Sequence, residues 1–262
     1  MKDERKGLGG TSKKKWAIII AVLVIGAVAA LLGTLSGGGS DDTAAERERL
    51  AAIAEEQRIE AERLAAEQQR LERKRLEAAQ TRGTINGHDY VDLGLSVKWA
   101  TCNVGASNPG DYGNYYAWGE TTTKSDYSPS TSTTDGKQMS SIAGNPTWDA
   151  ARKNWGSPWR LPTGAEFQEL RDNCIWKWTT RNGHNGYKVT SKKNGNSIFL
   201  PAAGRRDGTS FYDQGSYGAY WSASPLKEDN TDRACRLGFR ESGSFMGWLY
   251  RYNGHSVRPV SE

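Results

Sequence analysis

Few residue types in this chain carry reactive groups, and their spacing decides what they could do. The 3 cysteines and 3 histidines are Cys102, Cys174, Cys235, His88, His184 and His255. No pair among them has metal-ligand spacing, so no metal site is expected and no cofactor is implied. Outside the cytoplasm one disulfide with an odd thiol left over is allowed, Cys102 with Cys174 being the guess and three free thiols the equal alternative. No G-x-S-x-G elbow places a serine nucleophile, and no histidine has an evident partner as a base. Asp207, Asp213, Glu228 and Asp229 could hold a structural ion but read as loop carboxylates. The expected chemistry is recognition, not catalysis, and no enzymatic activity is expected.

Residues suited to recognition concentrate at 220–259, YWSASPLKEDNTDRACRLGFRESGSFMGWLYRYNGHSVRP. Cys235, Leu237 and Phe239 alternate with Arg236, Gly238 and Arg240, and a strand's period of two sends the two sets to opposite faces. Glu241, Ser242, Gly243 and Ser244 make a turn-rich break. Residues 245–252 read as the returning strand, Asn253-Gly254 as a tight turn, and 257–260 as the closing segment. The face expected outside carries Arg, Gly, Ser, Phe, Leu and Tyr where a surface strand ordinarily shows Thr, Lys and Glu. Arginine and large aromatics on an exposed face are binding chemistry. The expected ligand-binding residues are Arg233, Arg236, Gly238, Arg240, Ser244, Phe245, Gly247, Trp248, Leu249, Tyr250 and Tyr252. Leu237, Phe239 and Trp221, with Trp99, Trp118 and Trp159, are expected to form the core beneath them.

Composition agrees with such a domain. The chain has 262 residues with 10 Trp, 11 Tyr and 30 Gly at a mean hydropathy of -0.72. All but Trp16 of the tryptophans lie after residue 98, so a loop-rich domain bridged by aromatics is expected. The net charge of +5 is modest. From Thr84 onward cations and anions nearly balance, which argues against nucleic acid as the partner.

Five segments follow in order. Residues 1–15 are basic. Residues 16–35, WAIIIAVLVIGAVAALLGTL, contain no charge and at ~1.5 Å per residue would span a bilayer core of ~30 Å as a transmembrane helix. Lysines before the span and Asp41-Asp42 after it predict a single-pass protein of a bacterial membrane, its N-terminus cytoplasmic and its C-terminal domain periplasmic or extracellular. A signal peptide cut after Ala27-Val28-Ala29 is the rival reading. Residues 36–42 form a flexible linker. Residues 43–82 open with a capping box at Thr43 and Glu46 and predict a long helical stalk, about 55 Å if wholly helical. Glu-to-Arg pairs three apart support that helix. Its heptad phase is too weak to assert a coiled coil, and self-association through it into dimers or trimers is left open. Residues 83–262 form the ligand-binding domain. Strand patterns there surround two short helices, at 147–154 and at 165–173 behind a capping box of Thr163 and Glu166. An α+β domain is expected.

The motifs VDLGLSVKWATCNVGASNPGDYGNYYAWGE (91–120), WRLPTGAEFQEL (159–170), GNSIFLPAAG (195–204), YGAYWSAS (217–224) and GHSVRPV (254–260) together resemble the Fibrobacter succinogenes major paralogous domain, over about 85–260. The resemblance implies a C-type-lectin-like fold, in the broad group that includes the formylglycine-generating enzymes. The segment 220–260 also resembles the variable region of proteins retargeted by diversity-generating retroelements. There, mutated adenines turn Asn codons into a set that includes Arg, Gly, Ser, Phe, Leu, Tyr, Cys and Asp. Arg233, Cys235, Arg236, Gly238, Arg240, Ser244, Phe245, Gly247, Leu249, Tyr250 and Tyr252 belong to that set, whereas Met246 and Trp248 do not. The resemblance implies a binding protein with a diversified C-terminal surface whose partner is a protein or another cell-surface ligand. A glycan-binding lectin is the alternative, with Trp248, Tyr250 and Tyr252 stacking on sugar rings. It would lack calcium, because the Glu-Pro-Asn or Gln-Pro-Asp triplet of calcium-dependent lectins is missing. A third reading, an enzyme related to the formylglycine-generating enzymes, lacks the cysteine pair, since only Cys235 lies in the last 80 residues.

Overall fold

Alternating residues and Asn-Gly turns give a structure built from short antiparallel strands. The computed structural model describes residues 41–227 and 229–262. Helix α1 spans Asp41–Gln80. The chain falls into two units, one ending at Glu77 and one beginning at Ala78.

Helix α1 is made almost wholly of Ala, Glu, Arg, Gln and Leu. Arg58 bonds Glu55 at 2.6 and 2.9 Å, and Glu62 at 3.3 Å. Such exposed pairs add only a few tenths of a kcal/mol each, roughly. Leu50, Leu64 and Leu71 keep a seven-residue phase, but Gln57 interrupts it, so no continuous apolar stripe runs along it.

Within 78–262, two hairpins join β1 (Arg82–Ile85) to β2 (His88–Asp92), and β4 (Cys174–Arg181) to β5 (His184–Ser191). Their turns are Asn86-Gly87 and Asn182-Gly183, with φ of 50° and 80°, and 50° and 79°. Positive φ at both central residues matches the twist of the flanking strands and selects Asn-Gly. Strands β1 and β2 continue through β3 (Lys98–Ala100) to the C-terminal β12 (Val260–Ser261), so both ends of the unit share one sheet. Strands β4 and β5 pair with β6 (Ser197–Pro201). A small ribbon joins β7 (Arg205–Asp207) to β8 (Ser210–Tyr212). The remaining sheet has the order β11-β10-β9, from β9 (Tyr217–Pro225), β10 (Arg233–Arg240) and β11 (Gly243–Tyr250).

Two short helices pack on these sheets. Helix α2 (Ala150–Trp155) is capped by the buried Asp149, which accepts from Arg152 N at 3.0 Å and also holds Gly144 N and Leu161 N. Helix α3 (Gly164–Asn173) begins at the Thr163–Glu166 capping box.

The expected fold class needs correction. The described residues hold three α-helices against twelve strands, every paired strand is antiparallel, and the unit from residue 78 is mainly β rather than α+β. No described helix is long and apolar enough to cross a membrane. The span expected at 16–35 lies outside the described residues, as does the signal-peptide alternative. The helix that is described, α1, carries charge along its whole length. The membrane span therefore finds no support among the described residues, whereas the long helix expected over residues 43–82 is present as α1, without the regular heptad of a coiled coil. The guessed disulfide is corrected too, since Cys102, Cys174 and Cys235 are all free thiols.

Two apolar cores lie on opposite sides of the β9–β10–β11 sheet. The first gathers Leu93, Trp99, Phe167, Leu170, Val189, Leu200, Tyr220, Leu237 and Phe239. The second gathers Trp118, Trp155, Trp159, Trp221, Ala234 and Val257. Phe239 sits among Trp176, Trp178, Tyr187 and Tyr220, with ring centroids 5.4 to 6.4 Å away. All six expected core residues, Trp99, Trp118, Trp159, Trp221, Leu237 and Phe239, are at most 1% exposed.

Candidate functional site

The hairpin of β10 and β11 pairs Arg233 with Tyr250, Cys235 with Trp248, Arg236 with Gly247, Leu237 with Met246 and Gly238 with Phe245. Partners share a face. One face therefore bears Arg233, Cys235, Leu237, Phe239, Ser244, Met246, Trp248 and Tyr250. The other bears Ala234, Arg236, Gly238, Arg240, Phe245, Gly247 and Leu249.

Neither face is exposed along its whole length. At the turn end, the first face is covered by the first core through Leu237, Phe239 and Met246. At the far end, the second face is covered by the second core through Ala234 and Leu249. The open side thus changes midway along the hairpin. This corrects the expectation of one continuous outward face and divides the expected site residues into two patches.

The first patch holds Arg233, Trp248, Tyr250 and Tyr252. The Arg233 guanidinium lies 4.3 Å from the Trp248 ring centre and 4.9 Å from that of Tyr250. It also donates to the Tyr250 hydroxyl at 3.2 Å. The Tyr250 and Tyr252 rings stack, 5.2 Å apart and 12° from parallel. Trp248 and Tyr250 remain 47% and 37% exposed. Each side chain is braced by the next, which lowers the entropy lost when a partner docks.

The second patch holds Arg236, Gly238, Arg240, Phe245 and Gly247. Arg236 lies across Gly238, where a Cβ would collide with its Nη1 and with the Phe245 ring. Its guanidinium is 5.3 Å from the Phe245 ring centre and 5.4 Å from that of Tyr217. Arg240 stacks on the same Tyr217 at 4.7 Å. Asp213 bonds Arg205 at 2.8 Å and lies 3.6 Å from Arg240. Phe245 is exposed, but Arg236 is only 7% exposed, and its Nε and Nη1 have no hydrogen-bond partner. Burial pushes the Arg236 guanidinium below its ordinary range. Tyr217 draws it back up, and the charges of Arg205 and Arg240 push it down again.

Two expected residues belong to neither patch. Ser244 accepts a hydrogen bond through its carbonyl from Arg171 of α3 at 3.0 Å, and Leu249 packs into the second core. Cys235 faces the Pro225 carbonyl at 3.3 Å. Burial raises its thiol pKa, away from nucleophilic use.

The sequence alone does not single out Arg205, Tyr217 or His255, and Asp213 reads there as a loop carboxylate. The isolated bridges Gly204 to Gly218 and Arg206 to Gly254 bring their segments together, and no local pattern signals such pairing. His255 is fully buried against Trp221, with centroids 4.3 Å apart, and neither ring nitrogen has a partner. Burial holds it well below the ordinary imidazole range, helped by the charges of Arg236 and Arg205. It is therefore a neutral imidazole.

A second concavity, a cleft of about 640 Å³, is lined by Arg82, Asp89, Arg181, Lys188, Ile198 and Phe199 among others. No buried unpartnered polar atom lines it among the described residues. No cluster of three or more His, Cys, Asp and Glu fit to hold a metal occurs among the described residues. The chain matches no family model, no curated protein and no solved structure.

Proposed function

We propose that residues 78–262 are a non-enzymatic ligand-binding domain whose C-terminal hairpin contacts a protein or other cell-surface partner. The observation that carries this reading is the braced array of Trp248, Arg233, Tyr250 and Tyr252. Large apolar rings and a guanidinium are left open to solvent on a strand pair whose other residues anchor two cores. Exposed aromatics with arginine are the composition of binding hot spots. A protein partner fits better than a glycan, because Arg233 already covers the rings of Trp248 and Tyr250 that a sugar would stack on.

Family membership in the Fibrobacter succinogenes major paralogous domain group, and diversification by a retroelement, rest on the sequence motifs. The hairpin's division of labour suits diversification. Leu237 and Phe239 hold the first core and Ala234 and Leu249 the second, and Arg233, Arg236, Arg240, Phe245, Tyr250 and Tyr252 are changeable without loss of those contacts. The flanking DNA tests this part. A near-copy of the 3′ coding end with Asn codons at these positions, beside a reverse transcriptase gene, is expected, and its absence counts against diversification.

The binding reading is tested by screening the full chain against surface-protein and glycan arrays. The Trp248→Ala/Tyr250→Ala variant is expected to lose at least tenfold in affinity for any captured protein while keeping its melting temperature. Capture unchanged by that variant, or confined to glycans, contradicts the reading.

A further inference from the structure

The second patch contains hydrogen-bond donors that the protein leaves without acceptors. Asp213 is its one carboxylate among the described residues, shared by Arg205 and Arg240. Arg236 has none, and its Nε and Nη1 are buried and unpartnered. Two other buried arginines show how this fold satisfies the group when the role is structural. Arg258 donates to Asn103 Oδ1 and to the Ala100, Thr101 and Phe199 carbonyls at 2.6 to 2.9 Å. Arg251 donates to the Thr134, Lys137, Asn230 and Arg233 carbonyls at 2.6 to 3.3 Å. A buried cation without an acceptor is costly, so a missing acceptor marks a place where one is to be supplied.

We propose that this patch binds a carboxylate carried by an acidic peptide segment of the partner, with Arg236 as the principal donor and Arg205 and Arg240 as supporting charges. The inference rests on the binding reading above and names the chemistry that the ligand brings. The unmet donors, Nε and Nη1, lie on one planar guanidinium and face its two different edges, and a planar carboxylate grips either edge by pairing that donor with an Nη2 N–H. A dianion such as phosphate suits several free arginines at once, but Arg205 and Arg240 are already engaged by Asp213. Tyr217 and Phe245 flank the slot and exclude water from the pair, which strengthens it. Phe245 is the door. Its ring lies over Gly238 and Gly247 next to Arg236, it is 41% exposed, and exposed side chains change rotamer within nanoseconds or less.

The test is a titration of the full chain, read by the arginine Nε–H NMR signals. Four probes are used: a capped Gly-Glu-Glu-Gly peptide, its Gln analogue, inorganic phosphate and inorganic sulfate. The expected result is a saturable shift of the Arg236 signal with the Glu peptide, at least tenfold weaker with the Gln peptide and with either inorganic anion. Arg236→Gln should weaken Glu-peptide binding at least tenfold. Asp213→Asn, which removes the competing carboxylate, should strengthen it several-fold and keeps the test valid should Arg236→Gln misfold. No Arg236 shift with the Glu peptide, or tighter binding of phosphate or sulfate, overturns the inference. Should Trp248→Ala/Tyr250→Ala abolish capture of a protein partner while Arg236→Gln leaves it intact, the carboxylate site falls and the wider binding reading stands. Should neither variant change partner capture, both fall.

Discussion

Arg258 and Arg236 are both buried, on segments less than 25 residues apart, and they do opposite things. Arg258 makes four hydrogen bonds that tie β3, Asn103 and β6 to the C-terminal segment. Arg236 makes none through its Nε or Nη1 and rests between two aromatic rings. The same side chain is structural where backbone carbonyls surround it, and available where rings and glycines do. Burial alone therefore does not separate a satisfied arginine from an unsatisfied one. The count of acceptors does.

Substitutions sharpen that contrast. Arg258→Met, which leaves four acceptors unpaired in the interior, is expected to cost at least about 3 kcal/mol, read as a lowered urea midpoint at unchanged slope. Phe239→Ala is expected to cost about 3–5 kcal/mol, because it empties the centre of the aromatic cluster. Arg236→Met should leave stability unchanged or raise it by up to about 1 kcal/mol, since it removes a buried cation that has no acceptor. A large loss there would place Arg236 with Arg258 and erase the distinction. Gly238→Ala should cost less than about 1 kcal/mol, because the added methyl meets side-chain ends of Arg236 and Phe245. Gly218→Ala meets the enclosed Phe239 ring instead and should cost several times more.

A further expected effect is in pH. His255 is neutral and its folded pKa lies below the unfolded one. Between those two values the unfolded chain binds the extra proton, so stability falls as pH drops below about 6.5 and is intact above it. His255→Gln should flatten that acid limb of a pH series of unfolding midpoints.

Much of the local structure was legible in the sequence. The Asn86-Gly87 and Asn182-Gly183 turns, the Thr163–Glu166 cap and the alternation around Leu237 and Phe239 all depend on neighbours within a few residues. What was not legible depended on the fold's third dimension. Alternation separates Arg236 from Leu237, but it does not say which core lies over which end of the hairpin. Alternation alone thus predicts a continuous outward side, whereas the open side switches midway. Ser244 and Leu249, expected at the surface on the same ground, are held by α3 and by the second core. Arg205, Tyr217 and Asp213 join Arg236 only through contacts between distant segments, and the carbonyls that satisfy Arg258 come from residues around 100 and from 199. The even α+β reading overweighted two short helices against many strands of two to nine residues, whose short patterns are weak one at a time.

The side chains of the hairpin's two patches are separable from the fold that carries them. The most direct test is urea unfolding of the full chain with Arg233→Ala, Arg236→Ala, Phe245→Ala, Trp248→Ala and Tyr250→Ala combined. One cooperative transition within about 2 kcal/mol of the unchanged chain is predicted. Loss of cooperative unfolding would show that these residues build the domain, and would contradict the account.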